Sequence, residues 1–410
     1  MVAYFRDDVV AAISELEQAV KLLPESVTGR ALLSVSYTDF GQFDRGVQMF
    51  LEMEKHHPSS PEDYLFRGYV YEYLDAGQGL EDLNEGLRQR DSPLGRALRT
   101  FALSNRALDR ADKKDAEAAL ADANLARGML PNNPLALSAS LYARTVLAAL
   151  YAEAKFANPR MAVLQEAEQD IQALKPFNAL PGVWWEVWTF YEVTGDTDRA
   201  LDVVRRALEA SGAPLAAWCA ALQLYRQSRL TEARQCLERG RESDLPGDLL
   251  RVLILAESPD GQRLALEEYD ELCRKYRLEG LNGYYGSNIA MLLGKKELAP
   301  AALEKFGTHS GAKSETTKGF RKAVAQFVRG MLSEDNFLAK AGNSRFNQLV
   351  AHYESGISHL AAGDRKSARE HFRKAVATRA LWGYDYNWVA AFHCRLEKDP
   401  TWPPWIPLKP

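Results

Sequence analysis

The chain has 410 residues, of which 46% are hydrophobic and 26% charged, with a mean hydropathy of −0.32; these values are typical of a folded protein and exclude a disordered one. Its net charge of −4 lacks the basic excess that attracts nucleic acid or an anionic membrane, so both are disfavoured as partners. The four cysteines are far apart and lack zinc-ligand spacing, which predicts reduced, packed thiols.

The first predicted elements are helices rather than a targeting segment. Residues Met1 to Asp8 carry charges where a signal peptide needs an apolar run. The most apolar stretch, Ala136 to Ala154, is interrupted by Arg144 and does not predict a membrane span. We therefore expect a cytoplasmic protein. Strand and hairpin patterns are nearly absent, whereas Leu and Ala recur at helical spacing, so the predicted fold class is all-α.

The helical pattern repeats along the chain. Pro24 and Pro58 end two consecutive units and stand 34 positions apart. The residues that recur at matching offsets are Leu33, Tyr37, Gly46 and Phe50 in the second unit, Gly68, Tyr71 and Gly77 in the third, Trp188, Tyr191, Gly195 and Ala200 in the sixth, and Gly356, Gly363, Ala368 and Phe372 in a late copy. This period predicts stacked helical hairpins, with small residues where paired helices cross and aromatic residues between successive pairs.

These offsets resemble those of the tetratricopeptide repeat (TPR) family, over roughly three quarters of the chain. The resemblance implies an α-solenoid of TPR-like helical hairpins, about nine to eleven of them, that binds protein or peptide on its concave face. The predicted segments are a TPR-like array with an incomplete first repeat (1–280), an irregular helical segment with a loop at 307–318 (281–345), a last hairpin with a capping helix (346–398) and a Pro/Trp-rich tail (399–410).

The triplet Asp39-Phe40-Gly41 matches the magnesium-binding letters of a protein kinase. A kinase site also needs a Gly-rich phosphate cover, a strand Lys and an upstream catalytic Asp, and the sequence supplies none of these around the triplet. The triplet falls where Gly195-Asp196 and Gly363-Asp364 stand in other copies. It therefore predicts the turn between the two helices of a hairpin.

The first helix of each hairpin lines the concave face, and its positions around the close-packed residue are rich in aromatics. The predicted peptide-binding residues are Tyr69, Tyr73, Tyr142, Trp185, Trp218, Tyr225, Arg226 and Tyr353. Tyr, Trp and Arg dominate the residues that contribute most to protein–protein binding. The alternative is that several of these rings pack between repeats.

The best-known members of the family hold a peptide's terminal carboxylate with Lys and Asn. The matching positions here are Ala31 and Val35 in the second unit, and Leu65 and Tyr69 in the third. This departure argues against a receptor for chaperone tails. The expected ligand is an extended or helical peptide held by stacking and apolar contact, from another protein or from this chain.

Two groups of charged residues are candidate sites. The basic stripe Arg96, Arg99, Arg106, Arg110, Lys113 and Lys114 could meet an acidic partner or a nucleic-acid backbone. The acidic residues of the next helix favour pairing within the hairpin instead. His352, His359 and His371, beside Glu354 and Glu370, could gather round a metal ion. Because no catalytic motif is recognisable, the prediction is a protein that is not an enzyme and has no metal or cofactor.

The carboxyl-terminal tail contains Trp402-Pro403-Pro404-Trp405 and five prolines in all, which favours a polyproline-II rod. It could fold back as a cap on the last repeat or serve as a free ligand. An array with such a tail is similar to the TPR regions of some bacterial serine/threonine kinases. The predicted function is a non-catalytic scaffold that binds protein or peptide; the alternative is the regulatory or substrate-recruiting region of such a kinase, without its catalytic domain.

Overall fold

The computed structural model describes residues 9–39, 42–72, 76–178, 180–240, 244–258, 261–276, 280–299, 303, 315–381 and 384–407. These residues form 21 α-helices, one 3₁₀ turn and no β-strand, which confirms the all-α prediction. By its contacts the chain divides into two compact units, Met1–Phe40 with Arg45–Ser211 and Gly41–Asp44 with Gly212–Pro410. They are called the amino-terminal and carboxyl-terminal units below. The segment boundaries at 280, 345 and 398 stay a prediction.

The amino-terminal unit is a series of helical hairpins. Its helices are α1 (Val9–Leu22), α2 (Val27–Asp39), α3 (Phe43–Met53), α4 (Pro61–Glu72), α5 (Ala76–Gln89), α6 (Pro93–Arg110), α7 (Lys113–Met129), α8 (Pro134–Glu153), α9 (Ala157–Leu174), α10 (Pro181–Thr194) and α11 (Thr197–Ser211). The inner helices α2, α4, α6, α8 and α10 pack each against the next. Helix α2 ends at Asp39 and α3 begins at Phe43, and residues 40 and 41, on which the predicted turn falls, lie outside the described residues.

Proline marks the start of the inner helices. Four inner helices of this unit begin at a proline, namely Pro61, Pro93, Pro134 and Pro181. Proline suits the first helical position because its missing N–H would have no partner there. The side chains of Ser92 and Asn133 accept main-chain N–H bonds just before two of these prolines, which fixes where α6 and α8 begin.

Small residues lie where the helices of a hairpin cross, as the repeat spacing predicts. A Cβ on Gly68 would approach the main-chain oxygen of Gly79 to 2.7 Å, so α4 and α5 can meet this closely only at a glycine. Phe50 packs edge to face on Tyr71, with 5.2 Å between ring centroids, and fills the space between two hairpins. Gly195 ends α10 with φ +79°, which confirms the predicted turn.

Helix α8 is the central helix of the amino-terminal unit. Residues 136–150 are all buried. Among the described residues, this is the one helix long and apolar enough to cross a membrane, and 83% of its apolar window is buried by the protein. Its Arg144 is buried and forms an ion pair with Asp170 of α9, 3.0 Å away. A buried core helix passes the same test of length and composition, so the test alone does not indicate a membrane protein.

Ion pairs join inner helices to their outer partners. Arg99 of α6 donates to Asp122 of α7 at 2.6 Å, and Arg96 donates to the same carboxylate at 3.0 Å. Arg106 and Asp115 form a bidentate pair across the same hairpin at 2.6 Å. The prediction that the basic stripe pairs within its own hairpin is therefore confirmed for these three arginines.

The inner helices of the carboxyl-terminal unit form a closed ring. The helices are α12 (Pro214–Arg226), α13 (Leu230–Arg239), α14 (Leu245–Ala256), α15 (Gly261–Tyr276), α16 (Gly280–Leu292), α17 (Glu315–Val328), α18 (Glu334–Ala341), α19 (Arg345–Ala361), α20 (Arg365–Ala377) and α21 (Tyr384–Lys398). Helices α12, α14, α16, α19 and α21 pack in that order, and α21 packs back against α12. The ring helices carry large buried side chains, among them Trp218, Tyr225, Tyr353 and Trp388.

Candidate peptide-binding site in the carboxyl-terminal unit

Four of the eight residues predicted to bind a peptide belong to the amino-terminal unit. Tyr69 on α4 and Trp185 on α10 are half-buried. Tyr142 on α8 is buried, and its hydroxyl donates to Asn105 Oδ1 on α6 at 2.5 Å. Tyr73 lies outside the described residues. The three described side chains therefore stand on three different inner helices.

The other four predicted residues are Trp218, Tyr225, Arg226 and Tyr353, on the ring helices α12 and α19. All four are buried, Trp218 and Tyr225 completely. Trp218 packs against Trp388 of α21, with ring centroids 6.0 Å apart, and Arg226 donates to the main-chain oxygen of Asn387 at 3.4 Å. In the folded chain these side chains contact the protein's own residues. A direct role in binding a partner stays a prediction.

The carboxyl-terminal tail, residues 399–407, packs against the ring helices. Trp402 is fully buried, and its ring lies 5.5 Å from Phe392 and 6.5 Å from Tyr225. Its indole N–H donates to Glu257 Oε1 at 2.9 Å. Residues 399–407 thus fold back on the unit, in keeping with the first of the two alternatives for the tail.

The path of the tail differs from the predicted rod. The Trp402 N–H donates to Asp399 O at 3.0 Å, and the Ile406 N–H donates to Pro403 O at 3.3 Å. These bonds make two turns in place of a straight polyproline-II segment. Proline restricts its own φ but is compatible with turns, and burial of the Trp402 indole favours the turned path because a large aromatic surface leaves water.

Arg365, the first residue of α20, binds the main chain of the tail. Its guanidinium donates to the carbonyl oxygens of Trp402 at 3.0 Å, Pro403 at 2.9 Å and Ile406 at 2.5 Å. The side chain is buried, and burial lowers its pKa from the usual value. A guanidinium offers five N–H donors in a fixed plane, so one arginine can bind several carbonyl groups at once.

A second set of polar contacts surrounds the two tail indoles. Glu257 is in contact with the guanidinium of Arg395 as well as with the Trp402 indole. Arg395 lies over the ring of Tyr225, 5.1 Å from its centroid, which adds a cation–π contact. The Trp405 N–H donates to Leu292 O at the end of α16, at 2.9 Å. The tail is therefore held by specific polar groups in addition to apolar burial.

Two acidic side chains lie inside the ring. Glu354 Oε1 accepts from Asn288 Nδ2 at 2.9 Å, and Asp385 Oδ1 accepts from the Tyr284 hydroxyl at 2.9 Å. Burial raises the pKa of Glu354 to about 8 and that of Asp385 to about 6. At neutral pH Glu354 is therefore mainly protonated and can donate as well as accept a hydrogen bond.

The three histidines considered in the sequence come together, but with a different acid. His359 Nε2 lies 3.1 Å from Glu334 Oε2, and His371 Nε2 lies 2.8 Å from Glu334 Oε1. His352 Nδ1 is 3.1 Å from His371 Nδ1. Glu354 lies within the ring instead, hydrogen-bonded to Asn288. Glu334 was missed because it falls in the segment 281–345, which was predicted to be irregular because the repeat spacing fits poorly there.

Arg365 and Glu257 were also missed by sequence reasoning. Arg365 follows the predicted Gly363-Asp364 turn, where a charged residue suggests an exposed helix start. The contacts of Arg365 with residues 401–407 depend on how the tail folds back. The position of Arg365 within its repeat does not predict the path of the tail. The useful signal was the Trp-Pro-Pro-Trp motif, since folding back on the last repeat was one of its two interpretations.

No family model and no curated protein matches this sequence. Solved structures with a similar fold include the human IFIT1 dimer with m7Gppp-AAAA, at 14% identity and TM-score 0.37, covering 92% of this chain and 88% of that one. Yeast Tom70 matches at 11% identity and TM-score 0.38, with 98% and 96% coverage. The APC/C hetero-tetramer Cut9-Hcn1 matches at 12% identity and TM-score 0.32, with 94% and 87% coverage. By its own secondary structure and helix packing, the chain is an all-α protein of TPR-like helical hairpins.

The expectation that nucleic acid is disfavoured as a partner is wrong. It rested on the net charge of −4, yet IFIT1, among the structures of similar fold, is in complex with a capped RNA. A net charge averages over the whole surface and does not describe the local potential of a groove, so it is a poor criterion for a helical-repeat protein.

Proposed function

We propose that the protein is a non-catalytic TPR-like scaffold for a protein or peptide, and that its carboxyl-terminal unit recognises an extended segment of the Trp-Pro-Pro-Trp kind. The observation that carries this proposal is the contact of buried Arg365 with the tail carbonyls beside the buried Trp402 indole. The tail occupies the site within the chain. A partner with a similar segment would compete with it.

The chemistry of the site suits a proline-rich ligand. Proline has no N–H, so such a segment cannot pair as a full β-strand and presents mainly carbonyl oxygens. Arg365 donates hydrogen bonds to those main-chain oxygens and does not discriminate between the side chains of the ligand. Selectivity would come from the two indole positions, where Glu257 and Leu292 O accept the N–H groups of Trp402 and Trp405.

The test is binding of the tail in trans. A chain ending at Asp399 is mixed with a labelled synthetic peptide of residues 400–410, and fluorescence anisotropy is measured. We expect saturable binding by the shortened chain and much weaker binding by the full chain, whose own tail competes. Changing Trp402→Ala in the peptide should weaken binding at least about tenfold, since an aromatic anchor contributes 1.4 kcal/mol or more.

Arg365→Lys in the shortened chain should weaken binding about tenfold, because an ammonium cannot reproduce the planar set of donors. Arg369→Lys is the matched control, since Arg369 lies on the same helix and forms an exposed pair with Glu397. The proposal would be contradicted if the folded shortened chain bound the wild-type peptide no better than the Trp402→Ala peptide. If shortening unfolds the unit, Trp405→Ala in the full chain is used instead. This change removes the hydrogen bond from Trp405 to Leu292 O and so weakens binding of the tail to the unit, and peptide binding is then measured by anisotropy as before.

Other parts of the predicted function stay predictions. Half-buried Tyr69 and Trp185 are candidate contacts for a partner of the amino-terminal unit. The cytoplasmic location is an expectation from the sequence, and so is the role as a regulatory region of a bacterial serine/threonine kinase. The structures of similar fold named above give no support to the kinase role.

A further inference from the structure

Three side chains from three consecutive helices of the carboxyl-terminal unit meet at one point: Glu334 begins α18, His359 lies near the end of α19, and His371 lies within α20. Their ligand atoms all lie within 4.8 Å of one another. We propose that these residues bind one divalent transition-metal ion of the zinc class. The inference is independent of peptide binding.

The donor atoms suit such an ion. Both histidines turn Nε2 toward the Glu334 carboxylate, at 2.8 and 3.1 Å. Glu334 Oε1 is buried and makes no hydrogen bond among the described residues, although His371 Nε2 is this close. An ion bound to both atoms would satisfy this oxygen. Two imidazole nitrogens and one carboxylate oxygen are a common donor set for zinc.

The Nδ1 atoms of His359 and His371, which point away from Glu334, lie near polar partners. His359 Nδ1 lies 3.6 Å from Asp364 Oδ2, and His371 Nδ1 lies 3.1 Å from His352 Nδ1. Metal-binding histidines almost always direct the second ring nitrogen to a carboxylate or another polar group, which fixes the ring and its tautomer. The arrangement around His359 and His371 therefore continues beyond the three candidate ligands, as it does in metal sites.

The three side chains are accessible to an ion and a further ligand. The side chains of Glu334, His359 and His371 keep 32%, 28% and 12% of their surface exposed. Zinc bonds to such donors are about 2.0–2.2 Å long, so rotation of partly exposed side chains can bring the three atoms around one ion. Three protein ligands and one water would complete a tetrahedral site. The competing account is a hydrogen-bonded His–Glu–His cluster that binds no metal.

The test uses untagged, chelator-treated full chain titrated with Co²⁺, whose visible absorption reports four-coordinate binding, followed by displacement with Zn²⁺. We expect one Co²⁺ per chain. His359→Ala, His371→Ala and Glu334→Gln should each lower the affinity by about a hundredfold or more, because each removes a ligand from a three-ligand site. Glu370→Gln is the control, since Glu370 lies on α20 beside His371 but is largely exposed and pairs with Arg373. It should leave the affinity unchanged.

A further variant separates a metal site from a chance cluster. Asp364→Asn keeps an acceptor at the start of α20, where Asp364 accepts from the Ser367 N–H, yet removes the carboxylate facing His359. We expect about a tenfold loss of Co²⁺ affinity with unchanged helix content by circular dichroism. Absence of a Co²⁺ absorption band with the wild type, or equal affinity in the wild type and the three ligand variants, would overturn the proposal.

Discussion

At the scale of single residues, Asp170 connects two hairpin helices of the amino-terminal unit. It is fully buried and accepts from Ser140 Oγ at 2.9 Å and Arg144 Nη1 at 3.0 Å, with Arg127 also in contact. Burial raises its pKa, while the two arginines oppose that shift. Such a carboxylate is stable inside a protein because its donors replace the water it loses.

Removing this carboxylate should destabilise the amino-terminal unit strongly. Asp170→Ala leaves the buried guanidinium of Arg144 without its principal partner, so we expect a loss of about 3–5 kcal/mol in the free energy of unfolding. Urea denaturation followed by circular dichroism measures it. Glu166→Ala is the comparison, because Glu166 pairs with the same arginine but is 53% exposed, and should cost about 1 kcal/mol or less. Equal losses would show that burial does not determine the effect.

At the scale of elements, the crossing of α19 and α20 depends on one missing side chain. A Cβ on Gly356 would lie 2.3 Å from Phe372 Cε1, and Phe372 is fully buried. The ring therefore cannot swing into solvent to relieve the contact. The repeat spacing placed both residues correctly, because a hairpin that packs an aromatic ring against its partner helix needs a glycine opposite.

Gly356→Ala should lower the stability of the carboxyl-terminal unit by about 1–3 kcal/mol through overpacking. Gly319→Ala, in α17 of the same unit, is the matched control, since a Cβ there has no heavy atom within 4 Å. It should stabilise by up to about 1 kcal/mol, because alanine favours the helix more than glycine does. Urea midpoints compare the two variants. A stabilised Gly356→Ala chain would mean that α19 and α20 can separate at little cost.

The repeat spacing predicted contacts between neighbouring helices but not contacts between helices that are distant in the sequence. It located the turns at Gly195 and Gly363 and the pairing of α19 with α20, because these depend on residues within one period. It did not predict the contact of Arg226 with Asn387, which are 161 positions apart. A repeat pattern encodes the interface between successive hairpins, whereas ring closure depends on the summed angles of several hairpins. The tail-binding Arg365 was missed because the tail lies outside the repeat pattern, and the acid Glu334 because the repeat spacing fits poorly around it.

At the scale of the whole molecule, both units carry buried acids that hold their protons. Burial raises the pKa of Glu186 in the amino-terminal unit and of Glu354 in the carboxyl-terminal unit to about 8, from 4.5. Between these two values the unfolded chain has released a proton that the folded chain retains. Stability from each group is therefore full below pH 4.5 and is lost as the pH rises to 8.

We expect the free energy of unfolding of the wild type to fall between pH 7 and pH 8. Glu354→Gln should reduce this fall in the carboxyl-terminal unit by up to about 1 kcal/mol, since a neutral amide does not titrate. Denaturation at both pH values measures the difference. His352, whose pKa burial lowers to about 4, affects stability mainly below pH 6.5. Asp244, whose pKa burial raises to about 7, also titrates near this window, but it is present in both chains and so does not affect their difference. An identical fall in the variant would show that Glu354 is ionised in the folded chain.

Ring closure has a consequence for biosynthesis. Helices α12 and α21 pack together, and the ribosome makes the first long before the second, so a nascent carboxyl-terminal unit remains open until residues 384–398 emerge. During that interval Trp218 lacks its partner Trp388. Long-range closure slows folding and leaves apolar surface available to aggregate or to engage a chaperone. The hairpins of the amino-terminal unit, each packed on the next, can instead condense one after another during translation.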